Sequence, residues 1–129
     1  MSFIYRRKIA FHETDAAGMV YFANFFKLAA EAETHALNSL GWLVPGSKYY
    51  WLRVHAEADY RHPLHFNEDA EVEAGIAEMG HSSVHWEHRI RANGVLCAVL
   101  RIVAVRTTRG NVPVPLSDEE KRQLSPLLQ

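Results

Sequence analysis

Polar and apolar residues alternate along several stretches of this chain. In 51–61 the even positions Leu52, Val54, Ala56, Ala58 and Tyr60 are apolar, and the odd positions Arg53, His55, Glu57, Asp59 and Arg61 are polar. In 69–79, Ala70, Val72, Ala74 and Ile76 alternate with Asp69, Glu71 and Glu73. In 82–92, Val84, Trp86 and Ile90 oppose His85, Glu87, Arg89 and Arg91. A period of two sends each set to its own face, so each stretch predicts a strand with one buried and one wet face. The run VLCAVLRIVAV (95–105) is apolar on both faces and belongs inside a sheet. Asn93-Gly94 just before it is a hairpin signal. Residues 2–11, rich in Phe, Ile and Tyr, read as a first strand.

A different period runs from about residue 21 to Leu40. Tyr21, Phe25, Leu28, Ala32, Ala36 and Leu40 share one broad helical face, and Gly41 is a natural stop. That predicts one helix of about five turns. The stretch 42–50, with Pro45-Gly46, reads as a connecting loop, and Ser117-Asp118-Glu119-Glu120 as a capping box opening a short tail helix. The order is β-α-β-β-β-β plus the tail. One long helix must cover the apolar face of a five-stranded, mostly antiparallel sheet, which makes an α+β fold with the sheet wrapped around its helix. Residues 1–129 form one domain in this reading. Strand 51–61 lacks the character of an interior strand and falls at the sheet edge, where an unpaired ladder seeks a partner. Four aromatics, Tyr21, Phe22, Phe25 and Phe26, crowd the start of the helix. One helix face cannot direct all of them into its own core, so some must line a cavity or touch another subunit.

Composition narrows the function classes. The chain has 129 residues, 48% hydrophobic and 22% charged, with a net charge of −1 from 14 basic and 15 acidic residues. That balance gives no basis for broad electrostatic binding to nucleic acid or to an anionic membrane. No run approaches the roughly 18 apolar residues of a membrane span. The N-terminal MSFIYRRKIAF puts charges where a signal peptide needs its apolar core. A single cysteine, Cys97, allows no internal disulfide, and its apolar setting reads as a small buried hydrophobe rather than a nucleophile. A cytoplasmic, soluble protein is expected.

The candidate chemistry centres on FHETDAAGMVYFANFF (11–26). Asp15 precedes the small residues Ala16, Ala17 and Gly18, and then the helix. An acid beside a tight turn and a helix N-terminus can attack a carbonyl, or activate water against it, while backbone N–H groups hold the oxyanion. Equally, aspartate often simply caps a turn. The residues alone leave both open.

The same segment, the long helix after it and the stretch V-H-A-x-A-x-Y at 54–60 resemble the hotdog-fold thioesterases of the 4-hydroxybenzoyl-CoA thioesterase family, with its D-x-x-G-hydrophobic-V-aromatic motif. The likeness spans nearly the whole chain. It implies a hotdog fold and an acyl-CoA thioesterase acting on an aromatic or bulky acyl group. Asp15 would be the nucleophile or general base, and Gly18, Val20, Tyr21 and Phe22 would supply the N–H donors. Coenzyme A thioester enters as substrate; no metal and no organic cofactor is implied. The enzyme that names the family has a tyrosine where this chain has Phe22. Phe22, Glu31 and Val54-His55-Ala56 look more like the 1,4-dihydroxy-2-naphthoyl-CoA thioesterase branch.

Further site residues have two readings each. Glu31 either positions water or a substrate hydroxyl, or is a solvated helix acid. His55 is either a pocket group or a strand-surface histidine. The segment Gly80-His81-Ser82-Ser83 aligns with the family's phosphate-binding segment but carries little charge, which Arg106 and Arg109 are placed to supply. The histidines at 62, 65, 81, 85 and 88 raise a metal site, yet His85 and His88 point to opposite faces of one strand and no third ligand is evident. The resemblance also implies a homodimer built on strand 51–61 of each copy, with tetramer assembly left open. The alternatives from other classes are a non-catalytic acyl- or acyl-carrier-binding protein and a histidine-based metal hydrolase.

Overall fold

A computed structural model describes residues 2–42 and 48–129; the expected Pro45-Gly46 loop lies outside them. The elements are β1 (Phe3–Lys8), a 3-10 turn (Phe11–Glu13), α1 (Asn24–Ser39), β2 (Tyr49–Tyr60), β3 (Asp69–Met79), β4 (Ser83–Ala92), β5 (Val95–Thr108), α2 (Asp118–Leu124) and a closing 3-10 turn (Ser125–Leu127). The five strands form one sheet in the order β1-β3-β4-β5-β2, and every neighbouring pair is antiparallel. This is the expected α+β arrangement, with β1 and β2 at the edges.

Alternation sets the inner face. Every second residue of β4 is buried, with Val72, Ala74 and Ile76 of β3 on one side of it and Leu100 and Ile102 of β5 on the other. Against them α1 packs Phe25, Leu28, Ala29, Ala32 and Ala36. The three alanines, each 0% exposed, carry only a methyl group and so let the helix approach the sheet closely. Burying each large side chain in this layer contributes roughly 1.5–3 kcal/mol. Asn93 and Gly94 both take positive φ, as a two-residue primed turn between β4 and β5 requires. Gly41, at φ +73°, ends α1. The Ser117 hydroxyl accepts from the Glu120 N–H, and the Glu120 carboxylate accepts from the Ser117 N–H, so the capping box forms. Cys97 lies fully buried in β5, where burial pushes its thiol pKa up.

Two expectations need correction. The helix starts at Asn24, not near residue 21. The Tyr21 N–H donates to Glu13 O, and the Asn24 side chain donates to the same carbonyl, so residues 21–23 are held as a turn against the preceding segment. The even positions of β2 are also largely uncovered: Leu52, Val54 and Tyr60 are 37, 60 and 46% exposed. Within one chain α1 packs on β1, β3 and β5, and the edge strand extends beyond its shelter. A bulge between Arg53 and His55 further breaks the alternation.

Candidate active site

Asp15 opens a tight turn between β1 and α1. Its N–H donates to Met19 O at 2.8 Å, and the Gly18 N–H donates to Asp15 O at 3.0 Å. Gly18 sits at φ +77°, and a Cβ there would meet nothing within 4 Å. Glycine is therefore required by backbone conformation, not by close packing. Asp15 Oδ1 accepts from the N–H groups of Ala17 (2.9 Å) and Met19 (3.2 Å). Oδ2 has no partner among the described residues. The two readings of this aspartate are thus compatible: one oxygen holds the turn and the other stays available for chemistry.

The N–H groups around it divide in the same way. Gly18 donates to Asp15 O, Val20 to Leu64 O and Tyr21 to Glu13 O, so these three expected donors are already engaged. Phe22 and Ala23 keep N–H groups with no acceptor among the described residues. Their peptides are tied from the carbonyl side: Tyr21 O accepts from the Asn24 N–H at 2.8 Å, and Phe22 O from the Phe25 N–H at 3.3 Å and the Tyr60 hydroxyl at 2.9 Å. Two adjacent free donors therefore stand at the start of a 16-residue helix, where the helix dipole adds positive potential.

Asp15 and this turn share an open cleft of about 520 Å³, lined also by Met19, Val20, Phe25, Tyr60, Arg61 and Leu64. Of the four crowded aromatics, Phe25 is buried and Phe26 half-buried, while Tyr21 and Phe22 are 51 and 58% exposed. Tyr21 and Phe22 lie in this cleft with Tyr60, whose ring meets Phe25 edge-on at 5.2 Å. Burial also raises the Tyr60 phenol pKa. The cleft therefore has a flat, apolar wall beside an available carboxylate oxygen and the free Phe22 N–H. A smaller cavity of about 130 Å³ borders Glu33 and Trp86, but its carboxylate is already tied to His88 (2.7 Å) and Arg53 (2.5 Å).

Beneath the turn lies an ion cluster that the sequence reading missed. Glu13, only 1% exposed, accepts from two Arg7 nitrogens at 2.7 and 2.5 Å, from Lys27 at 3.3 Å and from the Ala10 N–H at 2.9 Å. Its carbonyl receives Tyr21 and Asn24. One residue thus ties β1, the turn and the helix start together, two positions before Asp15. The Arg7 guanidinium holds its carboxyl down at about 2. An acid closing a short apolar segment, six residues after an arginine, was the available signal.

The remaining expected site residues lie elsewhere. Glu31 accepts from Arg7 at 2.7 Å and from the Tyr5 hydroxyl at 3.0 Å, so it belongs to the ion cluster and is absent from the cleft lining. His55 lies on the outer face of the sheet, 3.1 Å from Glu57. His81, Ser82 and Ser83 sit at the far end of β4, with the Ser82 carbonyl taken by the Arg106 N–H. Arg106 is 5% exposed, paired with Glu120 at 2.5 Å and set over the Tyr49 ring. It is a structural ion pair, not a spare charge for a phosphate. Arg109 lies over the Tyr50 ring. His88, which shares parity with Trp86, is fully buried against Glu33. Among the described residues no group of three His, Cys, Asp or Glu is placed to hold a metal.

Comparison with known proteins gives a family and a fold. The family described as the thioesterase-like superfamily matches residues 9–124. The 1,4-dihydroxy-2-naphthoyl-CoA hydrolase of Synechococcus elongatus is 29% identical over 121 residues, covering 86% of this chain and 88% of that protein. The crystal structure of a 1,4-dihydroxy-2-naphthoyl-CoA thioesterase from Synechocystis superposes with a TM-score of 0.88 at 22% identity, covering 98% of each chain, a likeness of fold. A gentisyl-coenzyme A thioesterase structure superposes with a TM-score of 0.82 at 27% identity, covering 92% of this chain and 98% of that one.

Proposed function

The chain belongs to the thioesterase-like superfamily, and from that membership we propose that it hydrolyses an acyl-CoA thioester to a free acid and CoA. The observation that carries the reading is the Asp15 turn, where an unbonded carboxylate oxygen and Phe22, whose N–H is unbonded, border one cleft. Asp15 either attacks the thioester carbonyl or takes a proton from the water that does. Both routes place negative charge on the former carbonyl oxygen, for which the unbonded Phe22 N–H is the available donor on the cleft wall. Collapse then breaks the C–S bond. In the general-base route the proton taken from water passes to the departing thiolate and the acid is released directly. In the nucleophilic route the thiolate takes a proton from solvent, and water then hydrolyses the acyl–Asp15 anhydride to the free acid. Neither route calls on a metal or an organic cofactor. The test is a panel of aromatic, short-chain and long-chain acyl-CoAs, read by release of free thiol with and without a chelator. Cleavage that a chelator abolishes, or no cleavage at all, would overturn the reading.

The acyl group is proposed to carry a ring. The exposed rings of Tyr21 and Phe22 give the cleft a flat wall, suited to offset or edge contacts. Relatives named for naphthoyl and gentisyl groups support the same assignment. Phe22→Ala should lower the preference for aromatic over straight-chain acyl-CoA by about fivefold, with little loss of stability because the ring is 58% exposed. A loss of several kcal/mol with unchanged preference would assign Phe22 to the core instead.

The working form is proposed to be at least a dimer. Edge strand β2 presents an unpaired ladder with Leu52 and Val54 uncovered, and a second copy of the same strand would continue the sheet across a two-fold axis. Arg53, Glu57 and Asp59 already have partners in Glu33, His55 and Arg101, so apolar contact and the ladder carry this interface, not new ion pairs. Light scattering at micromolar concentration should give twice the chain mass or more; a monomer would contradict it. A cytoplasmic location belongs to the same proposal. Among the described residues no helix is long and apolar enough to cross a membrane.

A further inference from the structure

We propose that Arg61 is a specificity-determining residue that selects acyl groups carrying an oxygen acceptor, a hydroxyl or a carboxylate. The inference rests on the thioesterase reading and adds to it the chemistry of the acyl group. Arg61 lines the same cleft as Asp15, Tyr21 and Phe22. It is exposed, and among the described residues its guanidinium has no hydrogen-bond, ion-pair or ring partner. Every other arginine of the chain holds a carboxylate or, in Arg109, lies over a ring. Pairing is the rule here, and the exception faces the candidate active site. Backbone bonds fix its place. The N–H groups of Arg61 and His62 both donate to Cys97 O, at 2.7 and 3.1 Å. Further on, Leu64 O accepts from the Val20 N–H at 2.7 Å, and the Phe66 N–H donates to Gly18 O at 2.9 Å. The segment 61–66 is thus stitched to β5 on one side and to the Asp15 turn on the other.

The polar side chains of the cleft differ in what they can offer a substrate. Asp15 Oδ2 accepts. The Tyr21 hydroxyl, with no partner among the described residues, donates or accepts and so does not discriminate. The Tyr60 hydroxyl is taken up by Phe22 O. His62 Nδ1 donates to Pro63 O at 2.8 Å, which leaves Nε2 of the neutral ring as an acceptor. A guanidinium carries five N–H donors and no acceptor, so Arg61 is the side chain of this cleft that favours an oxygen over a methyl group. The phosphates of CoA are the other oxygens an arginine would take. They stand about 13 bonds from the thioester sulfur, roughly 15 Å at the reach per bond of an extended peptide chain. A rounded cleft of about 520 Å³ is shorter than that, so an extended arm carries its phosphates beyond it. With the thioester carbonyl at Asp15, the group left beside Arg61 is the acyl group.

The test compares hydroxybenzoyl-CoA and carboxybenzoyl-CoA with methylbenzoyl-CoA, each substituted at the same ring position, in the wild type, Arg61→Met and Arg61→Lys. The wild type should favour the better oxygenated substrate over its methyl counterpart by about tenfold in kcat/KM, the scale of one charge-assisted hydrogen bond. Arg61→Met should bring that ratio to about one, and Arg61→Lys should keep part of it. Tm should move by no more than a few degrees, because the side chain is exposed and unpaired. An equal loss on the oxygenated and methyl substrates would assign the arginine to the CoA moiety they share, its phosphates included, and overturn the proposal. So would a ratio that Arg61→Met leaves unchanged. Calorimetry with the non-hydrolysable hydroxyphenacyl and methylphenacyl thioethers of CoA separates this inference from the reaction itself. A wild type that cleaves no thioester, yet binds the hydroxylated thioether more tightly through Arg61, would end the thioesterase reading and keep the specificity residue. Equal affinity for the two thioethers, or binding of neither, would overturn it.

Discussion

Asp15→Asn should lower kcat by at least about 10²-fold on any acyl-CoA the protein cleaves, while leaving the fold intact. The expectation follows from the division of labour within the carboxylate. Oδ1 holds the turn through Ala17 and Met19, and asparagine can present the same oxygen to the same two N–H groups. The amide nitrogen then replaces Oδ2, which has no partner among the described residues. The replacement is nearly silent for structure and removes both basicity and nucleophilicity. Asp15→Ala makes the useful contrast. It should be as inactive, and should also lose about 1 kcal/mol because the turn loses its acceptor. Steady-state kinetics and thermal melts on the two variants check this. A folded Asp15→Asn protein with near-normal turnover would end the assignment.

The second large effect is on stability. Glu13→Gln should destabilise the protein by about 3 kcal/mol at neutral pH, as expected for breaking a buried pair by removing one charge. The Arg7 guanidinium beside it lowers the Glu13 carboxyl from 4.5 to about 2. A depressed folded-state pKa stabilises the fold above the unfolded value, and that contribution is lost as pH falls from about 4.5 towards 2. Integrated over that window the linkage is again about 3 kcal/mol. Acid unfolding of the wild type should therefore steepen below pH 4.5, and Glu13→Gln should flatten that limb. Glu120, also near 2 but more exposed, leaves a smaller residual slope. Urea melts between pH 7 and 2 make the comparison; equal acid slopes in both proteins would refute it.

Local pattern carried most of the architecture. The alternation in 69–79 and 82–92 and the Asn93-Gly94 turn are short-range facts, and β3, β4 and the hairpin lie where they place them. What the pattern could not reach depends on pairs far apart in the chain. Tyr60 meets Phe22, Glu31 meets Arg7, and His88 meets Glu33 across 55 positions. Each of these is an ordinary polar residue until its partner is known. His88 shows the point well, since its even position places it among the apolar residues of β4, where a single buried carboxylate makes it tolerable. The turn was legible at Asp15 because aspartate and glycine act on their own backbone. The donors were displaced by a few residues because Tyr21 continues the helical spacing without joining the helix.

The burial of Cys97 has a practical consequence. A thiol with no exposed surface and a raised pKa is a poor nucleophile towards thiol-directed reagents. A colorimetric assay for liberated CoA should then run without background from the enzyme and without inactivating it. The same silence makes the wild-type sequence a ready parent for site-directed labelling. A cysteine introduced at exposed Ala17, beside the Asp15 turn, would be the one reactive thiol in the chain and could carry a spectroscopic probe into the cleft.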